Sequence, residues 1–283
     1  MKKYFHFVEK FFELLYTVFM TIQQLLGPFR RAIEDYRMIE DGDKIAVGVS
    51  GGKDSLTLLA LLKAYQRFSP QKFELMGITI DMGFTPDAYR EVAEYCQKNE
   101  IPYHVEKTDI AQIIFEERKE KNPCSLCAKM RRGALNTVLL KHGFSKLALG
   151  HHADDVAETF FLSLFYEGRL STFGPVAYMD RTGVSMIRPM IYLEEKDITS
   201  FARTLPVVHN PCPANKHTQR EFVKNMSRTL QQDIPFVKER VIGAITHPER
   251  YNLWDHVLQT YLDARQPKDT VPREIAEENC PKD

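Results

Sequence analysis

The sequence predicts an α/β protein: a parallel, doubly wound sheet, preceded by an N-terminal helix and followed by C-terminal helices. Short apolar runs of strand length alternate with longer runs of helical periodicity from Lys44 to Tyr166. A glycine-bearing hexapeptide, Ser50 to Ser55, stands where the first strand ends and the first helix of that series begins. The 283 residues are 43% hydrophobic and 27% charged, ordinary for a globular protein with a substantial core.

The elements follow in order. Tyr4 to Phe29 is rich in Phe, Leu and Tyr, with Phe5, Val8, Phe12, Leu15 and Phe19 at helical spacing, which predicts an amphipathic helix. Its uncharged part, Leu14 to Phe29, is shorter than the roughly 20 apolar residues of a membrane span, and no small-residue cleavage site follows it. Packing on its own domain, or on a second copy in a homodimer, is the expectation for this helix, with no membrane partner.

Lys44 to Val49 reads as a buried strand entered through the turn Asp41-Gly42-Asp43, and Asp54 to Phe68 as a helix with leucines on its inner face. Strands at Glu74 to Ile80, Tyr103 to Glu106 and Lys146 to Gly150 alternate with helices at Asp87 to Asn99, Ile110 to Lys121 and Asp154 to Tyr166. Val184 to Met190 reads as a fifth strand, and Gln219 to Gln232 and Phe236 to Ile245 as C-terminal helices. Strands alternating with helices imply a parallel sheet covered on both faces. Ligands of such sheets bind beyond the carboxyl ends of the strands.

Thirty-eight basic residues balance thirty-eight acidic ones, so a nucleic-acid surface must be a local patch. Five cysteines, an odd number without a signal peptide, point to a reducing, cytoplasmic setting rather than a disulfide framework.

Ser50-Gly51-Gly52-Lys53-Asp54-Ser55 carries the most specific signal. Gly51 and Gly52 permit positive φ and close backbone approach. Amides at the start of the following helix, with its macrodipole, suit phosphate oxygens. Lys53 adds a point charge, and Ser50 and Ser55 add hydroxyl donors. The spacing does not match the loop of triphosphate-cleaving kinases. A plain strand-to-helix turn explains the glycines but not the serines, lysine and aspartate together.

Further along, Asp81 ends the second strand, and Gly150-His151-His152-Ala153-Asp154-Asp155 follows the fourth, with Glu158-Thr159 one turn on. Paired carboxylates there suit Mg²⁺ or the substrate, and Asp154 also suits a helix N-cap. Arg188 ends the fifth expected strand and suits either a phosphate or an ion pair.

Cys124 and Cys127 share one face of the first turn of a helix capped by Asn122 and opened by Pro123. The dipole and nearby Lys129, Arg131 and Arg132 are expected to lower their pKa values. Cys212 lies between Pro211 and Pro213 on a stiff extended segment. Three thiols fit a cubane iron–sulfur cluster with one open iron, a zinc site completed by His209 or His217, or a metal-free persulfide relay. Cys96 and Cys280 read as incidental.

The hexapeptide resembles the PP-loop of the ATP-pyrophosphatase superfamily, whose fold is adenine nucleotide α-hydrolase-like and whose members split ATP between the α and β phosphates. With Cys124-Ser-Leu-Cys127, the following Ala-Lys-Met-Arg-Arg-Gly133 and Gly150 to Asp155, the chain resembles the tRNA 2-thiocytidine synthetase (TtcA) family from about Ala32 to Trp254. Cys212-Pro-Ala-Asn215 departs from the second Cys-x-x-Cys that many members carry. The zinc-binding Cys-x-x-Cys pairs usual in the related 2-thiouridine enzymes are absent, and lysidine synthetases share the loop but do not need the cysteines.

The resemblance implies domains at 41–210 (the PP-loop ATP-pyrophosphatase domain), 1–40 and 211–254 (helical segments) and 255–283 (a tail). It implies ATP, Mg²⁺ and a 4Fe-4S cluster on Cys124, Cys127 and Cys212. ATP would lie on Ser50 to Ser55, Asp81, Gly150, His151 and Arg188, with Lys53, Asp54, Asp154 and Asp155 catalytic. The implied reaction adenylates the C2 carbonyl oxygen of an anticodon-loop cytidine (position 32 in tRNA numbering), and cluster-held sulfur then displaces AMP. The sulfur would come from a persulfide donor such as a cysteine desulfurase. Lys129, Arg131, Arg132 and Arg169 are candidate tRNA contacts. A 2-thiouridine synthetase, or another PP-loop adenylating ligase, is the alternative.

Overall fold

The computed structural model describes residues 21–85, 87–118, 123–208, 212 and 219–251. The apolar positions Phe5 to Phe19, and Asn122, His209, Pro211, Pro213, His217 and Cys280, lie outside the described residues.

Among the described residues six strands form one sheet: β1 (Asp43–Gly48), β2 (Phe73–Asp81), β3 (Tyr103–Lys107), β4 (Lys146–Ala148), β5 (Val176–Met179) and β6 (Val184–Ile187). Their order is β3-β2-β1-β4-β6-β5. All neighbours pair in parallel except β5, which runs antiparallel against β6. The sheet is thus mostly, not wholly, parallel. β5 has no counterpart in the sequence reading because Val176, Ala177, Tyr178 and Met179 do not alternate cleanly; Val176 and Tyr178 are exposed.

The longer helices among the described residues are α1 (Ile22–Asp35), α2 (Lys53–Tyr65), α3 (Arg90–Lys98), α4 (Pro123–Lys141), α5 (Ala153–Leu162), α6 (Glu195–Ala202), α7 (Gln219–Asp233) and α8 (Val237–Thr246). The helix expected from Ile110 to Lys121 is a single turn, Ile110–Gln112, that widens into π geometry over Ile113–Glu117. α5 also widens, over Ser163–Glu167, and stops at Gly168 in the left-handed region (φ +64°). α1 runs past Phe29 to Asp35, and the earlier part of the expected helix lies outside the described residues. Thr21 caps it, its amide and hydroxyl both donating to Gln24 Oε1.

α2 is buried around most of its circumference, with Leu56, Leu58, Leu59, Leu61 and Leu62 fully enclosed. An inner leucine face alone is therefore not what the chain builds. The buried sides of α1 (Leu25, Leu26, Phe29, Ala32, Ile33) and α6 (Ile198, Phe201, Ala202) account for the extra cover. At about 2 kcal/mol per buried leucine, this packing fixes the helix whose first turn carries the glycine loop. On another part of the sheet, Ile78, Ile80, Ile114, Val138, Leu139 and Leu147 form a second core cluster.

The chain divides into compact units Met1–Lys238 and Glu239–Asp283. In the second, the Tyr251 hydroxyl donates to the Ala244 carbonyl. No helix among the described residues is long and apolar enough to cross a membrane.

Candidate active site

The chain enters the sheet at β1, winds outward to β3, then returns to β4 on the other side of β1. That reversal opens a crevice at the carboxyl ends of β1 and β4, from which the Ser50–Ser55 loop and the Gly150–Asp155 segment both emerge.

The loop is shaped by its own hydroxyls. The Ser50 amide donates to Ser55 Oγ (3.1 Å), the Gly52 amide donates to Ser50 Oγ (3.3 Å), and Ser55 Oγ donates to the Gly52 carbonyl (2.9 Å). Gly51 has φ +82°, and a Cβ there would lie 2.9 Å from Val208 Cβ and 3.2 Å from the Tyr89 ring. Gly52 caps α2, leaving the first-turn amides of that helix without intrahelical acceptors. The Val208 amide donates to the Gly51 carbonyl (2.9 Å), so the segment leading to Cys212 is pinned to the loop.

Gly150 serves a packing role that the motif alone does not reveal. A Cβ there would stand 3.0 Å from the carbonyl carbon and oxygen of Asp54. Only a bare backbone lets the two motifs meet this closely.

Lys53 Nζ bridges Asp54 Oδ1 (2.7 Å) and Glu195 Oε1 (3.2 Å). Burial opposes the charge on Lys53, but the Asp54 and Glu195 carboxylates outweigh it and raise its pKa. Glu195 Oε1 also accepts from Lys224 Nζ (2.6 Å). Burial pushes the Glu195 carboxyl up, and the two lysines more than reverse that, bringing it down to about 2.

His152 caps α5, its amide donating to Asp155 Oδ2 (3.1 Å). Its Nε2 lies 3.4 Å from Asp155 Oδ2 and 3.7 Å from Asp54 Oδ1, so these carboxylates approach each other from two helix starts. The cap expected at Asp154 is therefore provided by His152. Asp154, only 3% exposed, accepts from the Glu195 amide (2.7 Å) and from Lys238 Nζ. Burial raises the Asp154 pKa, while Lys238 and the Glu195 amide bring it below the usual value. Arg220 joins Asp155 Oδ1 (3.4 Å), Glu158 Oε2 (3.1 Å) and Thr159 Oγ1 (3.2 Å).

Arg188 is 6% exposed, yet among the described residues no carboxylate ion-pairs with it. It donates to the Gly174 carbonyl (2.6 Å) and to His151 Nδ1 (3.3 Å), and lies over the Phe173 ring. Burial lowers the pKa of both His151 and Arg188.

Asp81, at the end of β2, accepts from the Gly83 amide (3.0 Å) and borders a cleft of about 530 Å³ lined also by Thr85, Tyr89, Val105 and Thr108. Cys127 reaches the same region, its Sγ 3.4 Å from Met82 Sδ. Cys124 is exposed, and Cys127 and Cys212 are half-buried. The pKa of Cys127 is raised, not lowered as the basic sequence context suggests: burial dominates, Arg131 opposes it, and the charges of Cys212 and Cys124 push it further up. Cys124 and Cys127 share the first turn of α4, and among the described residues no three His, Cys, Asp or Glu side chains are gathered closely enough to hold a metal ion. Cys96 is fully buried, its thiol pushed up to about 11.

The PP-loop domain family matches residues 20–243. A tRNA-cytidine(32) 2-sulfurtransferase of Geobacter metallireducens is 40% identical over 234 residues, 81% of this chain and 91% of that relative. The chain belongs to the tRNA-cytidine(32) 2-sulfurtransferase family. A relative of the same name from Dichelobacter nodosus is 36% identical over 87% of this chain and 92% of its own. Among solved structures, a U34-tRNA thiolase of Methanococcus maripaludis with its 4Fe-4S cluster is 25% identical, with a TM-score of 0.64 over 82% of this chain and 81% of that one.

As a tRNA-cytidine(32) 2-sulfurtransferase family member, the chain brings its expected loop, second motif and cysteines to one end of the sheet. Glu195, Arg220, Lys224 and Lys238 escaped the sequence reading. The one available signal was Arg220 and Lys224 four apart on a predicted helix, which puts both on one face.

Proposed function

We propose that this protein is an ATP-dependent tRNA thiolase that converts an anticodon-loop cytidine at position 32 to 2-thiocytidine. The observation that carries the reading is the meeting of three parts at the carboxyl edge of one sheet. These are a phosphate-shaped glycine loop, a pair of approaching carboxylates, and the cysteine-bearing start of α4, whose Cys127 reaches Met82 at the end of β2.

ATP lies with its adenosine toward the Asp81–Tyr89 cleft and its phosphates on Ser50 to Ser55. The C2 carbonyl oxygen of cytidine attacks the α-phosphorus, and the α–β bond breaks. First-turn amides of α2 and Lys53 take up charge on departing pyrophosphate. Asp54 and Asp155 are the hard oxygen ligands that would hold Mg²⁺, which needs only one or two protein carboxylates beside phosphate oxygens. Asp154 acts behind them, fixing the start of α6 through the Glu195 amide. Arg188, without a carboxylate partner among the described residues, supplies positive charge beside His151. Gly150 lets the second motif reach the loop.

Cys124, Cys127 and Cys212 would hold the 4Fe-4S cluster: the donors are soft, two of them share one helical turn, and half-burial shields two of them. A cluster held by three thiolates supplies one iron position open to sulfur. Hydrosulfide, released from a persulfide donor when a thiol reductant cleaves the S–S bond with two electrons, attacks C2, the C2–O bond breaks, and AMP leaves with the oxygen. Lys129, Arg131 and Arg132 project from the same helix as two of the thiols and are the proposed tRNA phosphate contacts.

The test is turnover by anaerobically purified protein with ATP, Mg²⁺, a sulfur source and bulk tRNA. One pyrophosphate should appear per 2-thiocytidine formed, with little release when tRNA is omitted. Tight ATP binding without turnover would instead mark a nucleotide sensor.

A further inference from the structure

We infer that Lys224, on a helix remote in sequence from the glycine loop, is a second ammonium group of the pyrophosphate-binding site, set beside Lys53 by Glu195. This inference rests on the proposed reading of Ser50 to Ser55 as a pyrophosphate loop.

Two lysines share one oxygen. Glu195 Oε1 lies 3.2 Å from Lys53 Nζ and 2.6 Å from Lys224 Nζ. Two ammonium groups within reach of a single carboxylate oxygen repel one another, and Glu195, with Asp54 on the Lys53 side, holds them together. What the pair offers an incoming anion is therefore its spare N–H donors, gathered at one point.

The carboxylate between them is rigidly placed. The Glu195 amide donates to buried Asp154, and Ile198, Phe201 and Ala202 anchor its helix in the core. Both lysine side chains keep access to solvent, at 28% and 26% exposure, so an incoming anion can reach them.

Donor capacity is left over. Each ammonium has three N–H bonds. Those of Lys53 meet Asp54 and Glu195, and Lys224 meets Glu195 alone among its hydrogen bonds to described residues. One donor on Lys53 and two on Lys224 remain for phosphate oxygens. The competing reading is a salt bridge that merely ties α7 to α6. Such a bridge predicts no response of Lys224 to phosphate.

The experiment titrates inorganic pyrophosphate, with Mg²⁺ in excess, into the full-length anaerobic protein and follows heat. Lys224→Gln should weaken binding about tenfold and Lys224→Arg should retain it, with Lys53→Ala weakening it at least as much. In the parent protein, bound pyrophosphate should also protect Lys224 from acetylation by acetic anhydride, a readout that survives if Lys224→Gln does not fold. Parent-like pyrophosphate affinity in folded Lys224→Gln, or unprotected Lys224 at saturating pyrophosphate, would overturn the inference while Lys53→Ala still upholds the loop reading. If Lys53→Ala also binds like the parent, the loop reading fails and takes the inference with it.

Discussion

Lys53 and Asp54 sit side by side at the start of α2, yet their neighbours give them separate tasks. Lys53 is held as a cation by two carboxylates, while Asp54 faces Asp155 across His152. Lys53→Ala and Asp54→Ala should each lower pyrophosphate release at least 100-fold, about 3 kcal/mol of transition-state stabilisation. Their urea midpoints should stay near the parent's, because both side chains are partly exposed. A parent rate in either variant would refute the loop assignment.

Glu195 offers a pH test at the same scale. Its carboxyl is depressed from 4.5 to about 2 in the folded chain. A depressed carboxyl stabilises the fold above its unfolded pKa, and that contribution fades as pH falls from about 4.5 toward 2. Screening at the crevice mouth leaves about 1–2 kcal/mol of this. Urea melts from pH 6 down to pH 3 should show Glu195→Gln losing less stability than the parent over that acid range. Identical acid limbs would count against the lysine pairs.

The elements explain what could and could not be read in advance. β1, β2 and α2 were legible because their apolar runs are long, and the three-residue β4 because Gly150 and the second motif follow it closely. The fourth strand leads directly into Gly150, whose need for a missing side chain becomes visible only when α2 is in place. Gly150→Ala should therefore cost about 1–3 kcal/mol and raise the KM for ATP as the first turn of α2 shifts. Parent-like stability and KM together would remove that packing role.

α6 escaped notice because eight residues with buried Ile198, Phe201 and Ala202 make a weak periodic signal. Its Glu195 matters only through lysines brought from residue 53 and residue 224. The Cys127 thiol was misjudged for a related reason: basic neighbours are visible in a sequence, whereas burial against Met82 is not. On the cysteine elements, Cys124→Ala, Cys127→Ala and Cys212→Ala should each abolish thiolation and the intact cubane in anaerobic protein. Cys96→Ala, on the buried side of α3, should keep the parent's iron, about four per chain. One bound zinc in the parent, or a trappable persulfide with no metal, would replace the cluster.

For the whole molecule, the architecture gathers chemistry from distant stretches at one edge of the sheet. The loop follows β1, the carboxylates follow β4, two thiols begin α4, and a third lies four residues beyond Val208, which bonds the loop. Adenylation and sulfur delivery at a single pyrimidine carbon both require that proximity. The scaffold itself does not choose the base, since a U34-tRNA thiolase shares it. The most direct measurement is therefore nucleoside mass spectrometry of tRNA from cells lacking this protein. The account predicts that 2-thiocytidine disappears while 2-thiouridine and lysidine stay at parental levels. Retention of 2-thiocytidine with loss of 2-thiouridine would contradict it.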